Sequence, residues 1–516
     1  MRNVAFAIIL SVAAGTVSAQ EEARPVTVGL TTQLPALTAV VVTGSSTYGA
    51  PQLFPVYRDS LGQPISRELA HSIVTAVSDL YANDGFVKPE VRVDDGLVAR
   101  GVLGVQVYEA EVTAVVFEGN PGRNRAALEK IAARIEGKKP LRSDDVPDAL
   151  SDMRAIAGLA VSATTRKDPD VRNGFELVVT ANYSPIEGMV RMNNRGTEEA
   201  GPNFVLGQMF VNGLFGGRDK LGLIFASATD PEEYLGAGLY LDAPVGDSGT
   251  RANALYFRSH SAPNEAPVNL DDEYVRQRVS LKFMRPLLED SGVALTLTGG
   301  FDTDDLTIDR DGEAIRQDDL VVFEAGLRAG WHLGAMQFSS GLLVRKGVDA
   351  FGAGLDARDL AVDPRRDDFI LTQLTTTVYR RFATSWSVRF DGFAQHSGYV
   401  LPDSERFKIG GDRLGRGFEV AEIAGDKGLG GKLELRRDVA NTQSLFGRVS
   451  AYGFYDMGTA WKQDSPDSAS ATTGGLGLAV NGRALSGYLE LAAPLSGPDI
   501  EGRTQASVFG EIAYRF

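Results

Sequence analysis

The last nine residues, Val508-Phe509-Gly510-Glu511-Ile512-Ala513-Tyr514-Arg515-Phe516, alternate. On an extended strand Val508, Gly510, Ile512, Tyr514 and Phe516 fall on one face, and Phe509, Glu511, Ala513 and Arg515 on the other. Leu429, Gly431, Leu433 and Leu435 repeat the pattern against Lys432, Glu434 and Arg436. One face is apolar and the other charged, as in a strand with lipid on one side and water on the other. Arg or Lys on a lipid face costs ~2 to 4 kcal/mol at mid-depth, so the charged face must line an interior. That interior is expected to be wet and polar, not a packed core.

The same texture runs from Ile186 to Phe516, where the helical period vanishes and sixteen strand-like segments alternate with turns. The spacing is roughly 21 residues per strand and connection, which suits membrane-crossing strands of ~9 to 11 residues. Connection lengths show a parity. Even-to-odd connections are short (Phe215 to Asp219, Leu333 to Ala335, Phe382 to Ser385, Asn481 to Ala484), whereas odd-to-even ones are longer and often acidic (His260 to Glu273, Thr303 to Asp319, Gly347 to Asp368). Short periplasmic turns and long external loops produce that asymmetry, and a soluble sandwich has no reason to keep it.

Composition agrees with an exported barrel. Arg2, the apolar stretch Val4 to Val17 and the small residues Val17-Ser18-Ala19 form a secretory signal, with the mature chain starting at Gln20. No later window reaches the ~18 apolar residues of a spanning helix. The chain has 58 Gly and no Cys, so turns and tight strand contacts are plentiful and disulfides are excluded. A net charge of -15 argues against nucleic acid and fits acidic external loops.

Before Tyr183 the pattern mixes helices and strands. Leu37 to Thr43 reads as a strand; Ser66 caps a helix whose Leu69, Ile73, Val77 and Leu80 share a face, Asp84-Gly85 stops it, and Val98 to Tyr108 is the next strand. The order recurs: strand Val112 to Phe117, helix Ala126 to Ile135 with Leu128, Ile131 and Ile135 inward and Gly137 after it, and a helix capped by Ser143 with Val146, Leu150 and Met153 on one stripe. Strands Ala160 to Thr165 and Phe175 to Tyr183 close the series. The expected organisation is a signal peptide (1–19), a short linker or vestigial plug (20–35), two small α+β modules (36–109 and 110–184) and a transmembrane barrel of sixteen antiparallel strands (185–516).

Three local motifs carry a resemblance to the two-partner secretion transporters, the haemolysin-activator and filamentous-haemagglutinin exporters, within the superfamily of POTRA-bearing barrels. They are Asn194-Arg195-Gly196 through Gly201 with Gly216-Gly217-Arg218-Asp219; Phe407-Lys408-Ile409-Gly410-Gly411 leading to Leu414-Gly415-Arg416-Gly417-Phe418; and Phe454-Tyr455-Asp456-Met457-Gly458. The resemblance implies two POTRA modules before a sixteen-stranded barrel, and a sixth external loop folded back into the lumen. Val commonly precedes the loop Arg in that family, and Gly415 here is expected to give the tip more freedom. Many relatives carry a plug helix at the N-terminus, whereas Glu21 to Leu34 is short and holds Pro25 and Gly29, so a short or absent plug is expected.

Strand parity sends Asp456 into the lumen with Arg448 and Ser450, where Arg416 can reach it. Spacing alone leaves the two as ordinary lumen charges; the resemblance makes them a latch formed by Arg416, Gly417, Phe418 and Asp456, with Glu434, Phe454 and Gly458 supporting. In a wet lumen the ion pair is expected to add little stability. The modules are expected to bind an extended, unfolded client by strand addition, at Phe175 to Tyr183 or the helix Ala126 to Ile135, although most apolar residues there read as module core. Tyr514 and Phe516 read as a C-terminal assembly signal for the barrel assembly machinery, and outer-membrane lipids surround the wall.

No enzyme constellation, cofactor or metal site is expected. His71, His260, His332 and His396 are scattered; Asp309-Arg310-Asp311-Gly312-Glu313 lacks the later calcium ligands and reads as a turn; Gly425 to Lys432 misses the phosphate-loop spacing. Export of a dedicated partner leads the functional readings, ahead of insertion of other barrels and of a passive porin or receptor.

Overall fold

The computed structural model describes residues 34–197, 200–215, 217–246, 249–263, 272–289, 292–358, 362–441, 446–498 and 506–516. The expected signal peptide, the linker up to residue 33 and Gly216 lie outside them.

In the first module the Ser66 hydroxyl accepts from the Leu69 amide at 3.1 Å and starts the helix Arg67–Asn83. Ile73, Val77 and Tyr81 are its buried stripe, Leu69 and Leu80 pack at the margin, and His71 is exposed. The sheet it covers runs Ala39–Thr43, Val102–Tyr108, Glu90–Asp94, with the first pair parallel and the second antiparallel. Leu103, Val105 and Val107 of the central strand alternate into the core. That strand begins later than expected, because Asp95–Arg100 coils into a 3-10 turn capped by the Asp94 carboxylate and ended by Gly101 at φ +77°. Helix Ala50–Tyr57 and strand Glu90–Asp94 were not anticipated; Pro51 and Pro55 hide the helix, although Pro51 falls in the first turn, where proline is well tolerated, and only Pro55 lies inside it.

A buried carboxylate joins three parts of this module. Glu109 accepts from the Ser46 amide at 2.8 Å, the Ser46 hydroxyl at 2.5 Å and the Tyr81 hydroxyl at 2.7 Å. Burial pushes its carboxyl up, but the hydrogen bonds from Ser46 and Tyr81 to the charged form outweigh it, and the net shift is downward. A depressed carboxyl stabilises the fold above its unfolded value, near 4.3, and loses that contribution as pH falls through the folded value. Glu109→Gln is therefore expected to destabilise the module by about 1–3 kcal/mol. Hydrogen exchange of the Arg67–Asn83 amides in the intact protein measures it, and parental protection in the variant would refute the assignment.

The second sheet is ordered Glu111–Glu118, Gly174–Tyr183, Leu159–Lys167. Leu128, Ile131 and Ile135 are buried as expected, but the helix Arg125–Ala132 stops before Ile135 and Gly137. In the helix Asp145–Arg154 Ala149, Leu150 and Met153 are buried. One expectation is corrected here. Gly174–Tyr183 is the central strand, with Leu177, Val179 and Ala181 buried, so it has no free edge for a client; the edges are Glu111–Glu118 and Leu159–Lys167.

From Ile186 each strand pairs antiparallel with its sequence neighbour, and among the described residues sixteen long strands close on themselves. The closing strand Ser507–Arg515 meets the first strand Ile186–Asn193 over five residue pairs, from Glu511↔Asn193 to Arg515↔Met189, against ten for Leu235–Pro244 with Arg251–Ser261. Phe516 extends this short seam: its amide and carbonyl both bond to Gly188, and its ring lies where a Cβ at that glycine would stand. Val508, Ile512, Tyr514 and Phe516 are exposed on the outer face.

The connection parity is observed, with one correction. Thr303 to Asp319 is no loop: it belongs to the strands Val293–Arg310 and Glu313–Leu333, joined by Asp311-Gly312 at φ +53° and +80°. Positive φ at both positions is the type I′ geometry that Asp-Gly favours, so the acidic stretch is a long hairpin. In the loop expected from Gly347 to Asp368, Gly354–Ala357 pairs with Arg316–Asp319 of that hairpin.

Candidate functional site

Residues 398–426, between the strands Trp386–Ser397 and Lys427–Asn441, form the longest connection of the barrel. Both ends are tied down. Asp426, fully buried, accepts from the Leu401 amide and the Gln463 amide, each at 2.7 Å. Glu405 takes a two-point contact from Arg345 at 2.9 Å, and Arg345 also reaches Asp302 at 2.8 Å and Glu324 at 2.6 Å. Between these anchors Phe407–Ile409 and Ile423–Gly425 pair as a short hairpin.

The loop brings its own apolar core. Phe407, Ile409, Leu414, Phe418 and Ile423 cluster against Ala460 and Ala471 of the wall, all buried. The wall makes room with glycine: a Cβ at Gly430 would stand 2.3 Å from Leu414 Cδ2, and one at Gly458 would stand 3.0 Å from both Ile409 and Leu414. The lumen at this level is thus packed, which corrects the uniformly wet interior read from strand alternation. Alternation reports which residues face inward, not what a distant loop lays over them.

At the tip Gly415 sits at φ +84° with the position of its missing Cβ 2.9 Å from Ile409 Cγ2. Glycine here meets a conformational demand and does not loosen the tip, contrary to expectation; valine would be strained. Gly417 is equally confined, since a Cβ would stand 2.9 Å from the Pro494 nitrogen of the wall.

Between these glycines Arg416 turns into the wall. Its Nε and Nη2 donate to the two Asp456 oxygens at 2.9 and 2.7 Å, and its own amide donates to Oδ2 at 3.1 Å. Nη1 donates to Glu490 at 3.2 Å and lies 3.5 Å from Glu434. The guanidinium carbon is 3.5 Å from the ring centroid of Phe454, a stacked cation–π contact. Arg416 is 5% exposed and Asp456 0%, so this is a buried pair and not a solvated one. Removing one partner of such a pair leaves an uncompensated buried charge, at a cost of about 3–5 kcal/mol. The expectation of a weak contact in open water is corrected accordingly.

The structure brings Arg416, Gly417, Phe418, Asp456, Glu434, Phe454 and Gly458 into one place, and sets Tyr514 and Phe516 on the outer face at the seam. Sequence reasoning left two residues of the cluster without a role in it. Arg195 donates to the Arg416 carbonyl at 3.0 Å, pairs with Asp412 at 2.7 Å and binds Glu490, while its guanidinium covers Phe509 at 3.9 Å. Glu490 also accepts from the Tyr452 hydroxyl at 3.0 Å. Its signal was in the sequence: a lone charge in Leu489-Glu490-Leu491 obeys the same parity that sends Asp456 inward.

No group of three or more His, Asp or Glu side chains suited to a metal ion occurs among the described residues. The cluster pairs arginine cations with carboxylates inside a buried contact between the loop and the wall.

Comparison with known proteins bears on the whole chain. Residues 176–481 match the family model described as haemolysin secretion/activation protein ShlB/FhaC/HecB. The outer membrane transporter CdiB of Dickeya dadantii (strain 3937) is 22% identical over 449 residues, covering 84% of this chain and 77% of that protein. Among solved structures, CdiB from Escherichia coli superposes with a TM-score of 0.74 at 19% identity over 96% of this chain and 93% of its own. CdiB from Acinetobacter baumannii gives 0.63 at 15% over 95% and 91%. BamA from Haemophilus ducreyi lacking POTRA domains 1-3 shares the fold at 0.53 and 12% identity over 94% of this chain and 100% of its own. With more than half its length inside the family model and its sixteen-stranded barrel intact, the chain belongs to the ShlB/FhaC/HecB haemolysin secretion/activation family and is a two-partner secretion transporter of the Gram-negative outer membrane.

Proposed function

We propose that the transporter takes its partner in extended form on the second module and passes it through a barrel whose large loop stays seated on Asp456. The observation that carries this reading is the Arg416–Asp456 contact, buried and made through both carboxylate oxygens. Lifting the loop would unpair Arg416, take the Asp412 carboxylate and the Arg416 carbonyl away from Arg195, and expose the core around Phe407 and Ile409, so the seated form is the working one. Insertion of other barrels, the reading suggested by the shared fold with BamA, gives no role to a loop fastened this firmly.

Client capture falls to an edge strand. Leu159–Lys167 leaves one side unpaired in its sheet, and its second half is exposed, as strand addition requires. Photocrosslinkers placed singly at Ser162, Thr164 and Arg166 are expected to trap the partner during export, and crosslinkers on Gly174–Tyr183 are not. Equal yields from the two strands would remove the edge-strand reading. The aromatic end, Tyr514 and Phe516, is assigned to recognition by the barrel assembly machinery before the seam closes.

A further inference from the structure

The outer wall has a groove where lipid-facing strands should be smooth. Along Arg448–Trp461 the outward positions run Ala451, Gly453, Tyr455, so the first two leave a gap that Tyr455 closes at its upper end. Register supplies the sides. Arg437 and Leu435 stand beside Ala451 and Gly453 on one flank, and Leu478 and Leu476 on the other. The hollow is open along its outer side, has a volume of about 850 Å³, and its lining is almost wholly apolar. From Ala451 to Tyr455 it runs four residue steps, about 13 Å, along the strand direction.

Its open end is marked by charge. Arg437 faces outward and has no carboxylate within ion-pair distance among the described residues. Its guanidinium lies 5.5 Å from the Trp386 ring, and Trp386 stacks on Phe382. Both aromatics flank the short turn 382–385, on the rim from which the first strand rises. Trp331 with Phe338, and Tyr514 with Phe516, stack near the same rim. Such aromatics sit at headgroup depth, so an unpaired guanidinium among them stands where phosphates are and the groove climbs from it into the acyl layer.

We propose that this groove is a binding site for one anionic phospholipid of the periplasmic leaflet, its phosphate on Arg437 and an acyl chain along Ala451 and Gly453. Surrounding lipid would wet any hollow, but a fixed cation beside an apolar trough selects by charge and holds by shape. The site is on the outside of the same strand that presents Asp456 inward, so its occupant touches the wall that seats the loop.

Trp386 reports on occupancy. With Trp331→Phe and Trp461→Phe it is the remaining tryptophan of the chain's three, and bromine on an acyl chain in the groove quenches it. The protein is reconstituted in phosphatidylcholine vesicles with rising fractions of dibrominated phosphatidylglycerol, or of dibrominated phosphatidylcholine in the control series. Quenching is expected to reach half-maximum at a several-fold lower fraction of the anionic lipid. Arg437→Gln is expected to abolish that preference. Gly453→Leu, which fills the trough without touching the lumen, is expected to weaken quenching by both lipids. Equal half-points in the parent chain, a preference that survives Arg437→Gln, or a Trp386 shielded from both lipids by a second copy of the protein would each overturn the proposal.

Discussion

Arg416→Ala and Asp456→Ala are each expected to lower the partner protein recovered in the medium by about tenfold or more while most of the barrel still folds into the outer membrane. The buried charge left behind costs about 3–5 kcal/mol, which is enough to unseat a loop tip but falls on no lipid-facing position. The two residues act largely through each other, so the double variant is expected to be little worse than either single one. Glu490 and Arg195 limit that coupling, because each keeps a contact with the tip when Asp456 is gone. Arg416→Lys is not a mild change here: an ammonium cannot reproduce the two parallel bonds to Asp456 or the face contact with Phe454. Partner in the medium, normalised to heat-modifiable barrel, is the measurement. Normal export by both single variants, or losses that simply multiply in the double, would make the pair ordinary wall charges.

Deleting Ala36 to Tyr183 while keeping residues 1–35 is expected to leave an inserted barrel and reduce export to background. Among the described residues the barrel's strands pair only with one another, so closure does not draw on the modules' sheets, whereas the proposed capture does. The two readouts separate cleanly: protease-resistant barrel in the membrane reports insertion, and partner in the medium reports transport. Export at parental levels without the modules would sink their assigned role.

Much of this was legible in the sequence because alternation and turn chemistry are local. Lipid-facing Leu429, Leu433, Leu435 and Ile512 could be read residue by residue, and the inward parity of Asp456 followed from its strand alone. What was missed is non-local or conditional. The Asp311-Gly312 turn was seen, yet the acidity around it suggested a loop where paired strands continue past it. Strand order within the second sheet, which denies a free edge to Gly174–Tyr183, is not encoded in that strand's own pattern. The packed lumen and the strict need for Gly415 arise from a loop laid against a wall by contacts spanning 40 residues and more, from Arg416 to Asp456 and from Arg195 to the Arg416 carbonyl. Period and propensity carry no record of such contacts.

The central claim is that the loop works where it is seated, and a covalent tether tests it. The chain has no cysteine, so an introduced pair is the only one present. A Cβ at Gly458 lies 3.3 Å from Ile409 Cγ1, the atom a cysteine sulfur would replace, and that is within bridging range. In the variant Ile409→Cys with Gly458→Cys, partner export is measured with the bridge closed by oxidation and again after reduction. The account predicts export close to that of the parent chain in both states. Export that stops when the bridge closes and returns when it is reduced would show that the loop must leave its seat, and would contradict it.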